Sequence, residues 1–78
     1  MKNSRKMARV FLDGLTKTKF NKILDELNLS DEQKTLLTLK HVYRFDNFRI
    51  SIEMNKCRNF ISLSLQNIYD KVYKNFIA

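Results

Sequence analysis

Residues 50–72 read ISIEMNKCRNFISLSLQNIYDKV, and this stretch decides the fold. Its second part places apolar residues four, three and four positions apart, at Ile61, Leu65, Ile68 and Val72. Such intervals follow the 3.6-residue turn of an α-helix, so these side chains are expected to form one buried face. This pattern predicts that the last part of the chain forms an α-helix.

The segments around this face predict a helix, a turn and a second helix. The final helix is predicted over residues 58–76, and residues 55–57 are predicted to form the turn before it. The preceding helix is predicted over residues 47–55, where Ile50 and Met54 share one face and are expected to be buried.

Short polar residues mark where two of the helices begin. Ser30 is followed three residues later by Gln33, which is the pattern of a capping box. We predict a helix from there to about Tyr43, and Asp46 as the cap of the next helix. The apolar residues expected on the buried side of the helix after Ser30 are Leu36, Leu37, Leu39 and Val42.

The N-terminal part predicts two further helices. The first is expected to begin at Asn3 or Ser4 and to end near Gly14, and the second to begin at Thr16 or Thr18. Gly14 either separates the two helices or is absorbed into one long helix. The apolar face of the first helix consists of Met7, Val10 and Phe11. The apolar stripe of the second helix consists of Phe20, Ile23, Leu24 and Leu27.

The chain of 78 residues is therefore predicted to form a single all-α domain, a small bundle of about five helices. Basic N-terminal helices occupy residues 1–28, and the remaining helices occupy residues 29–76. A domain of this size buries only about 60% of the surface that its unfolded chain exposes. Association into a homodimer is an ordinary way for so small a domain to gain stability.

Net charge is +7 and is unevenly distributed. Residues 1–22 carry a net charge of +6, residues 23–54 carry −2, and residues 55–78 carry +3. A short basic chain favours a polyanionic partner, most simply double-stranded DNA. The alternative is a solvated basic face that only aids solubility.

Few residues are available for other chemistry. Cys57 is the only cysteine, which excludes an internal disulfide and is expected to be a half-buried thiol. His41 is the only histidine, so no zinc site is expected and His41 is interpreted as an ordinary helix residue. No phosphate-binding loop or catalytic arrangement is recognisable, and we expect neither an enzyme nor a cofactor. No apolar run is long enough for a membrane span, so a cytoplasmic protein without membrane contact is expected.

Residues 29–72 resemble the promoter-reading domain (region four) at the C-terminal end of bacterial sigma factors. LSDEQKTLLTLKHV over residues 29–42 is similar to the family's Leu-Pro, charged residues and apolar helix ending in Leu-Arg-Tyr-Val. ISIEMN over residues 50–55 stands where the family has Ile-Ala-Glu-Glu-Leu-Gly, and Cys57 stands where it has the serine that begins the recognition helix. A similar spacing occurs in LuxR-type regulators. The resemblance implies a helix-turn-helix and a small DNA-binding transcription regulator, encoded by a phage or another mobile element.

The resemblance also implies which residues contact DNA. The second helix of a helix-turn-helix enters the major groove, where its first turns reach base edges. The positions implied to meet DNA are Arg58, Asn59, Phe60, Ser62, Leu63 and Gln66, with Ser62 expected at a phosphate. The candidates for phosphate contacts, which include the basic N-terminal arm, are Arg5, Lys6, Arg9, Lys40, Arg44, Arg49, Lys56, Lys71 and Lys74.

Several positions depart from the family pattern. Arg44 stands where the family commonly has glycine, so the turn there is expected to differ in backbone geometry. Cys57 replaces a serine and weakens the helix cap by about 1 kcal/mol. Phe60 and Leu63 are expected to be exposed, and exposed apolar residues on a small helical protein often mark a protein interface. The alternative function is a phage-type interaction module or inhibitor that docks on RNA polymerase, a sigma factor or a host defence nuclease.

Overall fold

The computed structural model describes the backbone of residues 2–78 and the side chains of residues 3–78. Met1 and the side chain of Lys2, both within the predicted basic N-terminal part, lie outside the described residues. Residues 2–78 form five α-helices and a short C-terminal π-helix, with no β-strand, which confirms the predicted all-α bundle. The α-helices are α1 (Lys2–Asp13), α2 (Lys17–Glu26), α3 (Asp31–His41), α4 (Asn47–Met54) and α5 (Arg58–Val72), and the π-helix is Tyr73–Ile77.

Side-chain caps define where the helices begin. In α3 the predicted capping box is present, with the Gln33 N–H donating to Ser30 Oγ at 3.2 Å and the Ser30 N–H donating to Gln33 Oε1 at 3.1 Å. Asp46 caps α4 as predicted, because its Oδ1 accepts from the Arg49 N–H at 2.8 Å. Thr16 caps α2. These caps satisfy backbone donors that have no partner inside the helix.

Residues with a left-handed backbone conformation follow the ends of α2 and α4 and occur in the connection between α3 and α4. Within residues 2–78, three residues other than glycine have positive φ angles, namely Asn28 (55°), Arg44 (61°) and Asn55 (56°). Asparagine tolerates this region, whereas arginine carries the steric cost of its Cβ. The expectation that the turn at Arg44 avoids a glycine-like backbone geometry is wrong. Gly14 lies in the connection between α1 and α2 and separates them.

Helix α5 supplies the centre of the core. Its buried residues at the predicted positions are Ile61, Leu65, Ile68 and Val72. Helices α1, α3 and α4 contact α5, and the π-helix continues it. Phe76 in the π-helix is half-buried and stacks on Phe11 of α1, with ring centroids 6.1 Å apart. The face predicted from residue spacing is therefore confirmed, although the final turn widens from an α-helix to a π-helix.

Helices α2 and α3 add the second part of the core. Their predicted residues that are buried are Phe20, Ile23, Leu24, Leu36 and Leu37. Leu27 and Leu39 are half-buried and pack against this core. Val42 was expected to be buried and is 39% exposed, because α3 ends at His41 and Val42 lies in the turn that follows.

The buried face of α1 differs from the predicted one. Met7 and Val10 are 47% and 58% exposed, whereas Ala8 and Leu12 are buried. Phe11, the third predicted residue, is half-buried. Ala8 and Leu12 lie one helical turn apart, and both belong to the hydrophobic core of the bundle, in which α1 contacts α5 and the π-helix. A pattern based on large apolar residues misses a helix face that contains alanine.

Arg44→Gly is expected to raise the free energy of unfolding by up to about 1 kcal/mol. The left-handed conformation costs a non-glycine residue about 1–2 kcal/mol. Part of that gain is offset because glycine increases the freedom of the unfolded chain and because the exposed Arg44–Asp13 ion pair is lost. Urea unfolding measures the change.

Lys22→Gly is the matched control for this substitution, since Lys22 is exposed within α2. Glycine inside a helix is expected to lower the free energy of unfolding by about 1 kcal/mol. A loss of similar size for Arg44→Gly would contradict the proposed strain at this turn.

Candidate nucleic-acid interface

A tight three-residue turn connects α4 to α5. The Lys56 N–H donates to the Ser51 carbonyl at 3.0 Å, and the Asn55 N–H donates to the Ile52 carbonyl at 3.3 Å. This pair of bonds around a left-handed residue is the Schellman arrangement that ends many helices. Ser51 is buried, and its hydroxyl donates to the Phe48 carbonyl at 2.6 Å. The buried hydroxyl of Ser51 is therefore paired with a backbone acceptor of its own helix.

Cys57 begins α5 in the place of a hydroxyl cap. Its Sγ accepts a hydrogen bond from the Phe60 N–H at 3.4 Å. The thiol is exposed, so the expectation of a half-buried cysteine is wrong. Sulfur is a weak acceptor, and the start of α5 is therefore held less firmly than a serine would hold it.

The open side of α5 contains most of the residues expected to contact bases. Arg58, Asn59 and Leu63 are exposed, and Leu63 retains 60% of its accessible surface. Ser62 and Gln66 are half-buried along one edge of this open side. The helix thus presents one polar side, with one exposed leucine, opposite the apolar face that fills the core.

Phe60 does not belong to this open side. It is half-buried and packs against the hydrophobic core, so the prediction that it is exposed is wrong. The Lys56 ammonium lies 5.1 Å from the centre of its ring, which is a cation–π distance. Phe60 precedes Ser62 by two residues, and a helix turns by about 100° per residue, so the two side chains point to different sides of α5.

Four of the nine predicted phosphate contacts form ion pairs with acidic side chains. Arg5 makes two hydrogen bonds to Asp70, at 3.0 and 3.2 Å. This contact raises the pKa of Arg5 and lowers the pKa of Asp70 from their ordinary values. The remaining pairs are Arg44–Asp13 at 3.4 Å, Arg49–Glu53 at 3.2 Å and Lys56–Glu32 at 3.5 Å. These cations already have a negative partner, which reduces their attraction for a phosphate.

The remaining predicted phosphate contacts are free of such pairs within the part of the chain that the structure describes. Lys6, Arg9, Lys71 and Lys74 are exposed and form no ion pair there. The Lys40 ammonium donates to Asn47 Oδ1 at 3.0 Å. Arg9 and Lys40 line the same cleft as Ser62 and Gln66 of α5. The structure therefore brings two of the predicted cations next to the edge of the open side.

His41 has a buried, hydrogen-bonded environment that was not predicted from the sequence. It is buried, with Nδ1 2.6 Å from Asp13 Oδ1 and Nε2 2.9 Å from the Tyr69 hydroxyl. Its ring also lies against Phe20, at a centroid distance of 6.1 Å. The contacts join α3 to α1, α5 and α2. Asp13 and Tyr69 are each 28 residues from His41 in the chain, a separation for which local spacing gives no signal.

The surroundings of His41 favour its neutral form. Burial lowers the pKa of His41 below its ordinary value, although the hydrogen bond to Asp13 acts in the opposite direction. Burial, reinforced by the charge of Asp13, raises the pKa of Tyr69 to about 12. An ionised Asp13 only accepts, so the neutral imidazole donates from Nδ1 and accepts at Nε2 from the tyrosine hydroxyl. Both ring nitrogens of His41 therefore have a hydrogen-bond partner.

Comparison of the chain with models of protein families, with curated proteins and with solved structures found no match. Among the described residues, no helix is long and apolar enough to cross a membrane. The same residues contain no group of three or more histidine, cysteine or acidic side chains placed to hold a metal ion.

Lowering the pH from 7.5 to 5 is expected to reduce the free energy of unfolding. The folded state lowers the pKa of His41 from its ordinary 6.5, so the unfolded chain binds this proton more readily. The contribution is complete above about pH 6.5 and is lost as the pH falls below that value. Thermal unfolding at constant ionic strength measures the change, and NMR titration of the imidazole measures its pKa.

His41→Gln provides the comparison, since it keeps a polar side chain and removes the titration. In this variant, the free energy of unfolding is expected to differ much less between pH 7.5 and pH 5 than it does in the wild-type protein. An imidazole pKa at or above 6.5 in the folded wild-type protein would contradict the assignment.

Proposed function

We propose that the chain is a small DNA-binding transcription regulator of the cytoplasm, which places the first turns of α5 in the major groove. The open side of α5 is the observation that supports this most directly. Residues 58–66 are displayed by a helix whose other face is fixed in the core, directly after a tight turn from α4. A net charge of +7 adds the long-range attraction that a DNA-binding protein needs.

The residues on the open side have side chains suited to contacts with a DNA duplex. Arg58 can donate two hydrogen bonds to guanine, and the amide of Asn59 can pair with adenine. Leu63 can contact the methyl group of thymine, and Ser62 can donate to a phosphate. The exposure of Leu63 has a use in this arrangement, because an apolar contact with a methyl group discriminates thymine from cytosine.

Duplex DNA is expected to bind with an affinity that falls steeply as salt increases, because each phosphate contact releases counterions. Fluorescence anisotropy of a labelled duplex at several salt concentrations measures this slope. Arg58→Ala and Asn59→Ala are each expected to weaken binding to a preferred sequence by about fivefold or more, as loss of a base contact costs about 1–3 kcal/mol.

Lys22→Gln serves as the control for these variants, since it removes the charge of an exposed side chain on α2 and leaves α5 unchanged. Circular dichroism verifies that the variants remain folded. If duplex DNA does not bind at low ionic strength, or if the Arg58 and Asn59 variants bind like the control, the DNA-binding proposal fails.

A second candidate function is supported by the apolar surface around the same turn. Phe48 and Ile52 of α4 are 57% and 58% exposed and lie one helical turn apart. The Arg58 guanidinium lies 5.9 Å from the centre of the Phe48 ring, which places this pair beside the start of α5. Together with Leu63, these residues fit a module that docks on RNA polymerase, a sigma factor or a host nuclease.

Under this second function, immobilised protein is expected to retain purified bacterial RNA polymerase after nuclease treatment. Leu63→Ser and Phe48→Ser are expected to reduce retention at least tenfold with little change in stability, because both side chains are exposed. Val10→Ser is the control, as Val10 is equally exposed but lies on α1. Equal retention by all three variants would exclude this surface as the docking site.

A further inference from the structure

A small cleft lies beside the open side of α5. Its volume is about 180 Å³, and it lies where α1, α3, α4 and α5 meet. The polar residues that line it are Arg9, Lys40, Asn47, Ser62, Gln66 and Tyr69. Four helices therefore direct polar side chains into one small space, and two of those side chains are cations.

The sign of the charge in this cleft is uniform. No carboxylate lines it among the described residues. The neighbouring cleft, of about 260 Å³, shares Arg9 and Lys40 but is also lined by Asp13 and Asp46. The two clefts thus differ in their suitability for an anion. Only the one beside α5 presents positive and neutral donors without an opposing negative charge.

The groups in this cleft are held in place by contacts with one another. Asn47 Oδ1 accepts from the Lys40 ammonium at 3.0 Å, and Asn47 Nδ2 donates to Ser62 Oγ at 3.4 Å. Ser62 thereby acts as an acceptor towards Asn47 and keeps its own hydroxyl hydrogen for another partner. Arg9 forms no ion pair within the described residues, so its planar fork of N–H donors is available.

We propose that this cleft is a binding site for a single phosphate group. Lys40 and Arg9 supply the positive charge, and the Ser62 hydroxyl and the Gln66 amide supply directed hydrogen bonds. A tetrahedral oxyanion matches such a set, since it accepts several hydrogen bonds from different directions and pairs with a guanidinium at two points.

The phosphate group that binds in this cleft is assigned as one of the DNA backbone, which rests on the proposed function. Ser62 and Gln66 belong both to the cleft and to the edge of the open side of α5. A strand running past α5 would therefore place a phosphodiester over the cleft while adjacent bases face Asn59 and Leu63. Such a contact fixes the register of α5 on the duplex and carries no sequence preference itself.

Inorganic phosphate tests the site in the absence of DNA. Titration of the wild-type protein, with chloride at matched ionic strength as reference, is expected to shift the NMR signals of the Gln66 side-chain amide and the Ser62 backbone amide. Arg9→Gln and Lys40→Gln are each expected to abolish these shifts. Lys22→Gln, which removes one charge outside the cleft, is expected to retain them.

The salt dependence of duplex binding tests the assignment to the DNA backbone. Loss of one phosphate contact is expected to reduce the slope of log K against log salt by about 0.9. Arg9→Gln is expected to show this reduction and to weaken all duplex sequences by a similar factor, whereas Lys22→Gln should not. Arg9→Lys is expected to restore the slope, because it restores the charge.

The possible outcomes separate the two proposals. If duplexes bind and Arg9→Gln behaves like the Lys22 control, the assignment to the DNA backbone is overturned while the proposed function stands. If no duplex binds but inorganic phosphate shifts Gln66 in an Arg9-dependent manner, the phosphate site is supported and the proposed function fails. If phosphate causes no more shift than chloride, the site itself is refuted.

Discussion

The two hydrogen bonds of His41 are the interaction on which the rest of this structure depends. They connect α3 to Asp13 at the end of α1 and to Tyr69 within α5, so one buried ring fixes the relative positions of three helices. Arg9 lies one helical turn before Asp13 on the same side of α1. Holding Asp13 against His41 therefore also directs Arg9 towards the cleft beside α5. The contact between Asp13 and His41 and the position of Arg9 in the proposed phosphate site therefore both follow from the way α1 packs against α3 and α5.

The dual use of α5 follows from helix geometry. A 15-residue helix that fills the centre of a small core must bury one side, and the 3.6-residue period leaves the opposite side free. Burial of Ile61, Leu65 and Ile68 therefore determines the direction in which Asn59, Leu63 and Gln66 point. Helix α4, which buries Ile50 and Ser51, contacts α5 and supports it from one side. The residues of α5 that pack in the core thus also determine which of its side chains face the solvent.

Local patterns in the sequence predicted the parts of the fold that local physics determines. The capping box at Ser30, the Asp46 cap and the core positions of α5 depend on residues three or four apart, and all are confirmed. Some errors are local, since the end of α3 before Val42 and the backbone geometry at Arg44 were wrongly predicted. The other errors concern tertiary contacts. The burial of His41, the exposure of Met7 and the packing of Phe60 depend on partners distant in the chain. Counting basic residues likewise could not show which arginines would meet a carboxylate, as Arg5 meets Asp70.

Charge pairing determines which cations can contribute most to binding a polyanion. The pairs of Arg5, Arg44, Arg49 and Lys56 are exposed, and exposed pairs are worth only about 0–1 kcal/mol, so a phosphate can displace a carboxylate from them. The displaced carboxylate nevertheless remains nearby and repels the phosphate, so each exchange gains little. Cations that form no ion pair keep more of their attraction for a phosphate. Among the described residues these include Arg9, Lys40 and Arg58 beside α5, and also Lys6, Lys71 and Lys74, so the electrostatic part of binding comes from fewer side chains than the net charge of +7 suggests.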